Sequence, residues 1–280
     1  MTEYKSMYDR FTAQPNFGGS CAGCGIVFAV NSSSILVKTG EGAAVFPGME
    51  DFGSNPAGFE NTVYLGTVDG VGCGCTYYDE SLPIPRGMAF ENLRNLLSVL
   101  DESLGLVAAR ALHLANWLRQ NRYCGVCGSP TLPSGTELAK KCPVCGNSAY
   151  PKISPAVIMA IVKEDRILLA HNRRFAGRMY SVLAGFVEPG ESIEECAKRE
   201  IMEEAGIRIR NIRYFGSQPW PFPDSLMIGL TAEYDGGELK ADGTELDDAG
   251  WFRADELPTV PGTVSIAGRL IRWFTDGDEA

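Results

Sequence analysis

No apolar run in this chain of 280 residues approaches the ~20 residues that a membrane-crossing helix needs. A helical membrane protein is thereby excluded. The opening stretch, MTEYKSMYDRFTAQPNFGG, lacks the apolar core of a secretory leader, so a cytoplasmic location is expected. Basic side chains are in deficit: 25 Lys and Arg stand against 35 Asp and Glu, for a net charge of −10. Bulk electrostatic binding to nucleic acid needs cations that displace counterions, and this balance argues against it. A small nucleotide held by a few residues and a metal remains compatible. There are only two histidines, His113 and His171, and both read as surface or packing residues. No internal repeat or low-complexity segment is present.

What remains is the composition of an ordinary globular protein, 45% hydrophobic and 21% charged, long enough for about two domains. Nine cysteines in such a chain suggest metal sites rather than a disulfide framework. Cys124 and Cys127 form one C-x-x-C pair, and Cys142 and Cys145 a second, fourteen residues on. Each lies in a knuckle, C-G-V-C-G or C-P-V-C-G, whose turn residues aim two thiolates at one ion. Four thiolates so arranged make a closed, tetrahedral, structural Zn²⁺ site. Unrelated pairs or a redox pair are the weaker alternatives. Cys21, Cys24, Cys73 and Cys75 admit a second metal site, but the C-x-C spacing is poor for a ribbon. Scattered core cysteines are the favoured reading there, and Cys196 reads as a small packing residue.

The most informative segment is residues 185–207, GFVEPGESIEECAKREIMEEAGI. Pro189 and Gly190 mark a turn, and Ser192 with Glu195 forms a capping box that starts a helix. Gly206 suits the left-handed residue that ends it. Ile193, Ala197 and Ile201 recur every fourth position as a buried stripe. Glu200, Glu203 and Glu204 fall within a sector of roughly 100°. Like charges so placed repel, and a hard divalent cation removes the conflict while bridging carboxylates to substrate phosphates. A solvated acidic face is the bland alternative.

Three blocks follow from the patterning: 1–120, an N-terminal α/β domain; 121–150, the ribbon; and 151–280, the catalytic domain. Short apolar runs at Ile26–Val30, Ile35–Val37 and Val63–Val68 precede a helical stretch around Leu93–Leu100 and Leu106–Trp117. The last block offers strands at Ala156–Val162, Ile167–Ala170, Ile212–Gly216 and Leu226–Tyr234. Its helices are the one in the segment above and another near Thr263–Phe274. Strands flanked by two helices give an α/β fold, a mixed-sheet α/β/α sandwich. Beyond the glutamates lies Ser217-Gln218-Pro219-Trp220-Pro221-Phe222-Pro223-Asp224-Ser225. Prolines alternating with aromatics make a stiff loop suited to stacking on a base, or else a packed cover for the core edge.

Gly185, Glu191, Arg199, Glu200, Ile201, Glu203, Glu204, Gly206 and Ile207 match the signature of the Nudix hydrolases position for position. The S-Q-P-W-P-F-P string after a four-cysteine ribbon resembles the NADH pyrophosphatase branch, which includes enzymes that remove NAD caps from RNA. The resemblance covers about residues 90–275 well. It implies hydrolysis of NADH or NAD⁺ to nicotinamide mononucleotide and AMP by a Nudix α/β/α sandwich, usually as a homodimer. It further implies a fourth acidic metal ligand at Glu245 and a backbone carbonyl ligand at Ala184. With Glu200 and Glu204 these would hold Mg²⁺ or Mn²⁺. Glu203 is the candidate proton acceptor, or alternatively a ligand; Arg199 would orient a glutamate, and Glu191 would tie the loop to the helix. Substrate contacts are implied at Glu137, Tyr150, Gln218 through Ser225, and Ala267. Arg94 is a more distant carry-over, and Phe186 stands where it could stack on a base. Asp224 departs from the neutral amide common in the branch, which puts the substrate ranking in doubt. A basic group of Lys140, Lys141, Arg173, Arg174 and Arg178 offers to steer an RNA 5′ end. A non-catalytic nucleotide sensor is the reading from a different class, and loss of motif glutamates would favour it; none is lost.

Overall fold

A computed structural model describes residues 5–13, 21, 23–40, 44–53, 62–173, 177–241 and 243–277. The chain divides into two compact units. One runs through Lys152 and takes in Pro221–Asp224; the other begins at Ile153 and holds the rest of the chain.

The first unit contains β1 (Phe11–Ala13), β2 (Ile26–Asn31), β3 (Ser34–Lys38), β4 (Val63–Val68), β5 (Val71–Tyr77), β6 (Met88–Asn92), α1 (Leu93–Leu96) and α2 (Glu102–Gln120). Six strands form one sheet in the order β1-β4-β5-β2-β3-β6. Alternation along β2 sends Phe28 and Val30 to one face, where they pack with Val107, Ala111 and Leu112 of α2. Val27 and Ala29 go to the other. The Asp101 carboxylate starts α2 by accepting from the Ser103 and Leu104 amides at 3.2 and 3.4 Å.

This sheet answers the question of the four N-terminal cysteines. Two-residue periodicity puts Cys73 and Cys75 together in the α2 face of β5, both buried with free thiols. Cys21 and Cys24 lie in the opposite cluster and are joined to each other as a disulfide. Gly74, between the two β5 cysteines, leaves the room that the Cys21 sulfur occupies; a side chain there would overlap it. The four thiols therefore do not converge on a metal. The expectation of scattered core cysteines holds for all four, and the disulfide between Cys21 and Cys24 is an addition to it.

The ribbon follows in the same unit as three short antiparallel strands, β7 (Leu132–Pro133), β8 (Lys140–Lys141) and β9 (Ser148–Ala149).

The second unit is built on β10 (Ser154–Lys163), β11 (Arg166–Asn172), β12 (Leu183–Phe186), α3 (Ile193–Ala205), β13 (Ile207–Trp220), β14 (Ser225–Gly237), β15 (Leu246–Arg253) and α4 (Ile266–Asp276). Strand order is β13-β14-β10-β11-β15, with β12 also on β10. Only β10 and β14 run parallel among these pairs, so the sheet is mixed. Val157, Met159 and Ile161 of β10 pack with Ala197 and Ile201 of α3. Ile158 and Ala160 pack with Leu270 and Ile271 of α4. A strand covered on both faces reads as a continuous apolar run, and the layering is α/β/α as expected. Two local details differ from expectation. Ile193 is exposed, and Cys196 takes its place in the buried stripe with Ala197, Ile201 and Ala205. The aromatic-proline stretch is half strand: β13 runs through Pro219 and Trp220 before a turn at the tip. β13 is an edge strand, where a residue without an N–H costs no ladder bond.

Candidate active site

Helix α3 begins and ends on the signals its sequence carries. Ser192 accepts from the Glu195 amide at 3.2 Å, and the Glu195 carboxylate accepts from the Ser192 amide at 2.7 Å. Gly206 closes the helix at φ 70°. Along that frame Arg199, Glu200 and Glu204 are half-buried and Glu203 is exposed, with Glu200 and Glu204 flanking the buried stripe.

Arg199 is the hub of the site. One guanidinium nitrogen donates to Glu200 at 2.9 Å and to Glu203 at 3.1 Å. Another donates to Glu191 at 2.9 Å and to the Phe186 carbonyl at 3.0 Å. Glu191 in turn accepts from the Glu188 amide at 2.9 Å, which pins the loop between β12 and α3. Arg199 and that amide bond hold the Glu191 carboxyl down to about 2. Glu200 behaves oppositely. Burial raises its pKa, Arg199 counteracts, and the charges of Glu203 and Glu245 raise it further. Its carboxylate lies against the backbone of Gly185, in space that any side chain there would fill. A half-buried carboxylate crowded by other carboxylates is short of positive charge, and a divalent cation suits that deficit. Exposed Ala184 lies next to Gly185 on β12, paired with Ile158 of β10, and exposed Glu245 immediately precedes β15. Glu200, Glu203, Glu204 and Glu245 do not draw all their oxygens within 4.8 Å of one another; among the described residues only the ribbon cysteines form so tight a set.

The ribbon cysteines fit zinc by their own geometry. Cys124 and Cys145 sulfurs are 3.6 Å apart, and those of Cys127 and Cys142 are 3.4 Å apart. A tetrahedron with metal–sulfur bonds of about 2.3 Å has edges of about 3.8 Å. The knuckles repeat one design: Gly128 donates to the Cys124 carbonyl at 2.9 Å, and Gly146 to that of Cys142 at 3.0 Å. Both glycines sit at positive φ, 74° and 77°.

The implied substrate contacts fall in both units. Phe186, Gln218, Pro219, Trp220, Ser225 and Ala267 belong to the second, and Arg94, Glu137, Tyr150 and Pro221–Asp224 to the first. Phe186 is 54% exposed, open enough for stacking. Gln218 is otherwise committed: its amide donates to the Val264 carbonyl at 2.9 Å and accepts from Ile266 at 2.7 Å, fastening the start of α4. Ala267 and Ser225 are buried. In the first unit the Tyr150 hydroxyl donates to Glu137 at 3.1 Å. Arg94 lies 4.3 Å from the Phe222 ring centroid, and Phe222 packs on the α2 core. Asp224 does not point to solvent. Its side chain is 14% exposed and pairs with Lys152 at 3.4 Å.

Both histidines have definite partners that a packing role does not predict. His113 Nε2 lies 2.7 Å from the Lys152 carbonyl. His171 has the Asp247 carboxylate 2.6 Å from Nδ1 and the Gly177 carbonyl 2.8 Å from Nε2. Both oxygens are acceptors, which favours the ring protonated at both nitrogens, and its pKa is raised, chiefly by Asp247. Beside it Tyr180 donates to Asp248. The register of β11 against β15 brings His171 beside Asp247 and Asp248. Of the anticipated basic group, Lys140 is buried, Lys141, Arg173 and Arg178 are exposed, and Arg174 lies outside the described residues.

Comparison with known proteins agrees with the geometry. A NUDIX domain model matches residues 152–274, an NADH pyrophosphatase-like rudimentary NUDIX domain matches 24–117, and an NADH pyrophosphatase zinc ribbon domain matches 119–150. The NAD-capped RNA hydrolase NudC of Pectobacterium carotovorum is 49% identical over 182 residues, covering 64% of this chain and 70% of its own. The chain belongs to the Nudix hydrolase family. The protein of the same name from Stutzerimonas stutzeri is 42% identical over 210 residues, 75% of this chain and 76% of that one. A NUDIX hydrolase of known structure from Nitrosomonas europaea is 22% identical with a TM-score of 0.47, covering 55% of this chain and 91% of that one.

Proposed function

We propose that this Nudix hydrolase cleaves the pyrophosphate of NADH and NAD⁺ to nicotinamide mononucleotide and AMP, using Mg²⁺ or Mn²⁺. The observation that carries the reading is the Arg199-centred network, with Glu200 buried against Gly185 and every motif glutamate present. The pyrophosphatase-type ribbon and N-terminal domain support the choice of a dinucleotide.

Glu200, Glu204 and Glu245, with the Ala184 carbonyl, are assigned as metal ligands. When bound, the metal screens the pyrophosphate, polarises phosphorus and acidifies water. Arg199 counteracts the effect of burial on the Glu200 carboxyl and holds its orientation. Glu203 is mostly exposed, with a side chain 60% accessible, and is assigned to accept the proton of the attacking water at its carboxylate. Glu191 keeps the β12–α3 loop closed on Arg199. Trp220 is assigned to stack on one base of the substrate, with Phe186 as a second ring. Gln218 acts by holding the start of α4 in place.

A second reading, removal of NAD caps from RNA, is favoured by the names of the relatives and uses the same chemistry. A cytoplasmic homodimer is the assembly we assign, testable by light scattering. Purified protein should be incubated with NADH, NAD⁺, NAD-capped RNA, ADP-ribose and diadenosine polyphosphates, and the products separated by chromatography. Release of both mononucleotides from NADH is expected. Cleavage of the other dinucleotides alone would overturn the reading.

A further inference from the structure

Strand β15 carries one residue too many for its partner. His171 of β11 pairs with Asp248 and Asn172 pairs with Leu246, so Asp247 stands between them as a β-bulge. The extra residue changes which way the strand faces. Side chains of an unbroken strand alternate, which would send Leu246 and Ala249 to opposite sides. Instead Leu246, Ala249 and Trp251 all pack in the α3 core. The bulge resets the alternation immediately after Glu245 and Leu246, so the placement of Glu245 depends on it. Glu245 also lies within electrostatic reach of Glu200 on α3.

His171 makes two of the contacts that hold this irregularity. Its Nδ1 lies 2.6 Å from the carboxylate of Asp247, the bulged residue itself. Its Nε2 lies 2.8 Å from the Gly177 carbonyl, in the loop that follows β11. A third contact is made by the backbone nearby, where the Arg173 amide donates to the Glu245 carbonyl at 3.1 Å. The imidazole is largely enclosed, with a side chain 14% exposed against 41% for Asp247. Tyr180 braces it from one side: the ring centroids are 5.7 Å apart, the Tyr180 hydroxyl donates to Asp248, and the Tyr180 amide donates to the Thr259 carbonyl at 2.9 Å. A bulged residue that slipped back into the ladder would reverse the faces of its neighbours. A ring bonded on both sides opposes that slip.

We propose that His171, acting through Asp247, is a positioning residue that sets Glu245 for its metal. The inference deepens the proposed function and rests on its assignment of Glu245 as a ligand. His171 touches neither substrate nor metal in this role; it fixes the bulge, and the bulge fixes the segment that bears the ligand. Bulges beside active sites commonly re-aim a side chain in this way.

The test is Mn²⁺ binding to the full chain, followed by electron paramagnetic resonance, which needs neither substrate nor turnover. Asp247→Ala should raise the Kd for Mn²⁺ about tenfold, the lower end of what outer-shell partners are worth. Asp247→Asn loses the same charge but keeps an acceptor oxygen for the ring, so its Kd should stay within about twofold of wild type. His171→Ala should match Asp247→Ala, and the double variant should be no worse than either, because the two side chains act as one unit. In a Glu245→Gln background neither change should add to the loss already present. Equal losses in Asp247→Ala and Asp247→Asn would make the effect one of charge and overturn the proposal. So would additive losses in the double variant, or a further loss in the Glu245→Gln background, since either marks a general structural role. Should His171→Ala fail to fold, the comparison of the two Asp247 variants decides alone. A wild-type Kd in Asp247→Ala beside a weakened Glu245→Gln would overturn this inference and leave the proposed function standing. A wild-type Kd in Glu245→Gln would remove the ligand assignment and this inference with it.

Discussion

The Glu200 carboxylate rests against the backbone of Gly185, in the volume that a β-carbon there would occupy. The signature glycine is thus required by close approach of an anionic side chain, not by a left-handed turn. Gly185→Ala should displace Glu200 and lower kcat by about 10²-fold, since small misplacements of reacting groups are that costly. Steady-state kinetics with NADH at saturating Mg²⁺ checks this. A kcat within twofold of wild type, in a folded variant, would refute it.

Glu200→Gln and Glu204→Gln keep shape and remove charge. Each should leave the melting temperature near wild type and cut kcat by at least about 10²–10³-fold, through lost charge stabilisation in the transition state. The two variants are compared by calorimetry and by turnover across a Mg²⁺ titration.

Cys142→Ser should abolish zinc retention together with the fold of the ribbon, because metal affinity here is folding energy. Elemental analysis should find one zinc per chain in the wild type. Two would contradict the separation of Cys73 and Cys75 from Cys21 and Cys24 on opposite faces of the sheet.

Trp220→Ala should raise the KM for NADH with less effect on kcat, the pattern of lost uniform binding, at a cost of about 1–3 kcal/mol for a stacked base. Metal dependence should not change. Comparison with ADP-ribose, which lacks nicotinamide, identifies the base concerned.

His171 contributes stability with a definite sign. Its folded pKa is raised above 6.5 by Asp247 and the Gly177 carbonyl. That contribution is complete below pH 6.5 and is lost as pH rises through the folded value. The urea midpoint gap between wild type and His171→Gln should therefore be widest in mildly acidic buffer and narrow on the alkaline side. A gap that widens with pH would contradict the assignment.

Features encoded within a few residues were legible in the sequence, and features set by strand register were not. The Ser192–Glu195 box, the Gly206 cap and the paired knuckles are local, and each appears where its residues place it. The pairing of His171 with Asp247 depends on the alignment of β11 with β15, and that of Asp224 with Lys152 spans similarly distant positions. Nothing near either acid in the sequence announces its partner. The four N-terminal cysteines show the same limit. C-x-C in a strand turns both thiols to one face, but which face depends on strands elsewhere in the chain. Pro219 misled for a different reason: proline suggests a loop, and an edge strand tolerates it.

The parallel contact between β10 and β14 carries a consequence for synthesis. Ser154 pairs with Ser225, so the centre of the sheet stays open until the β13–β14 hairpin has left the ribosome. Helix α3 has its own caps and finds β10 and β12 already made, but β13 and β14 complete its floor only later. Glu245 arrives later still, with β15 docking on β11. A nascent chain halted between residues 205 and 244 would thus carry the signature glutamates yet lack Glu245. On this order of assembly, hydrolysis should begin only once residue 245 and β15 have emerged from the ribosome.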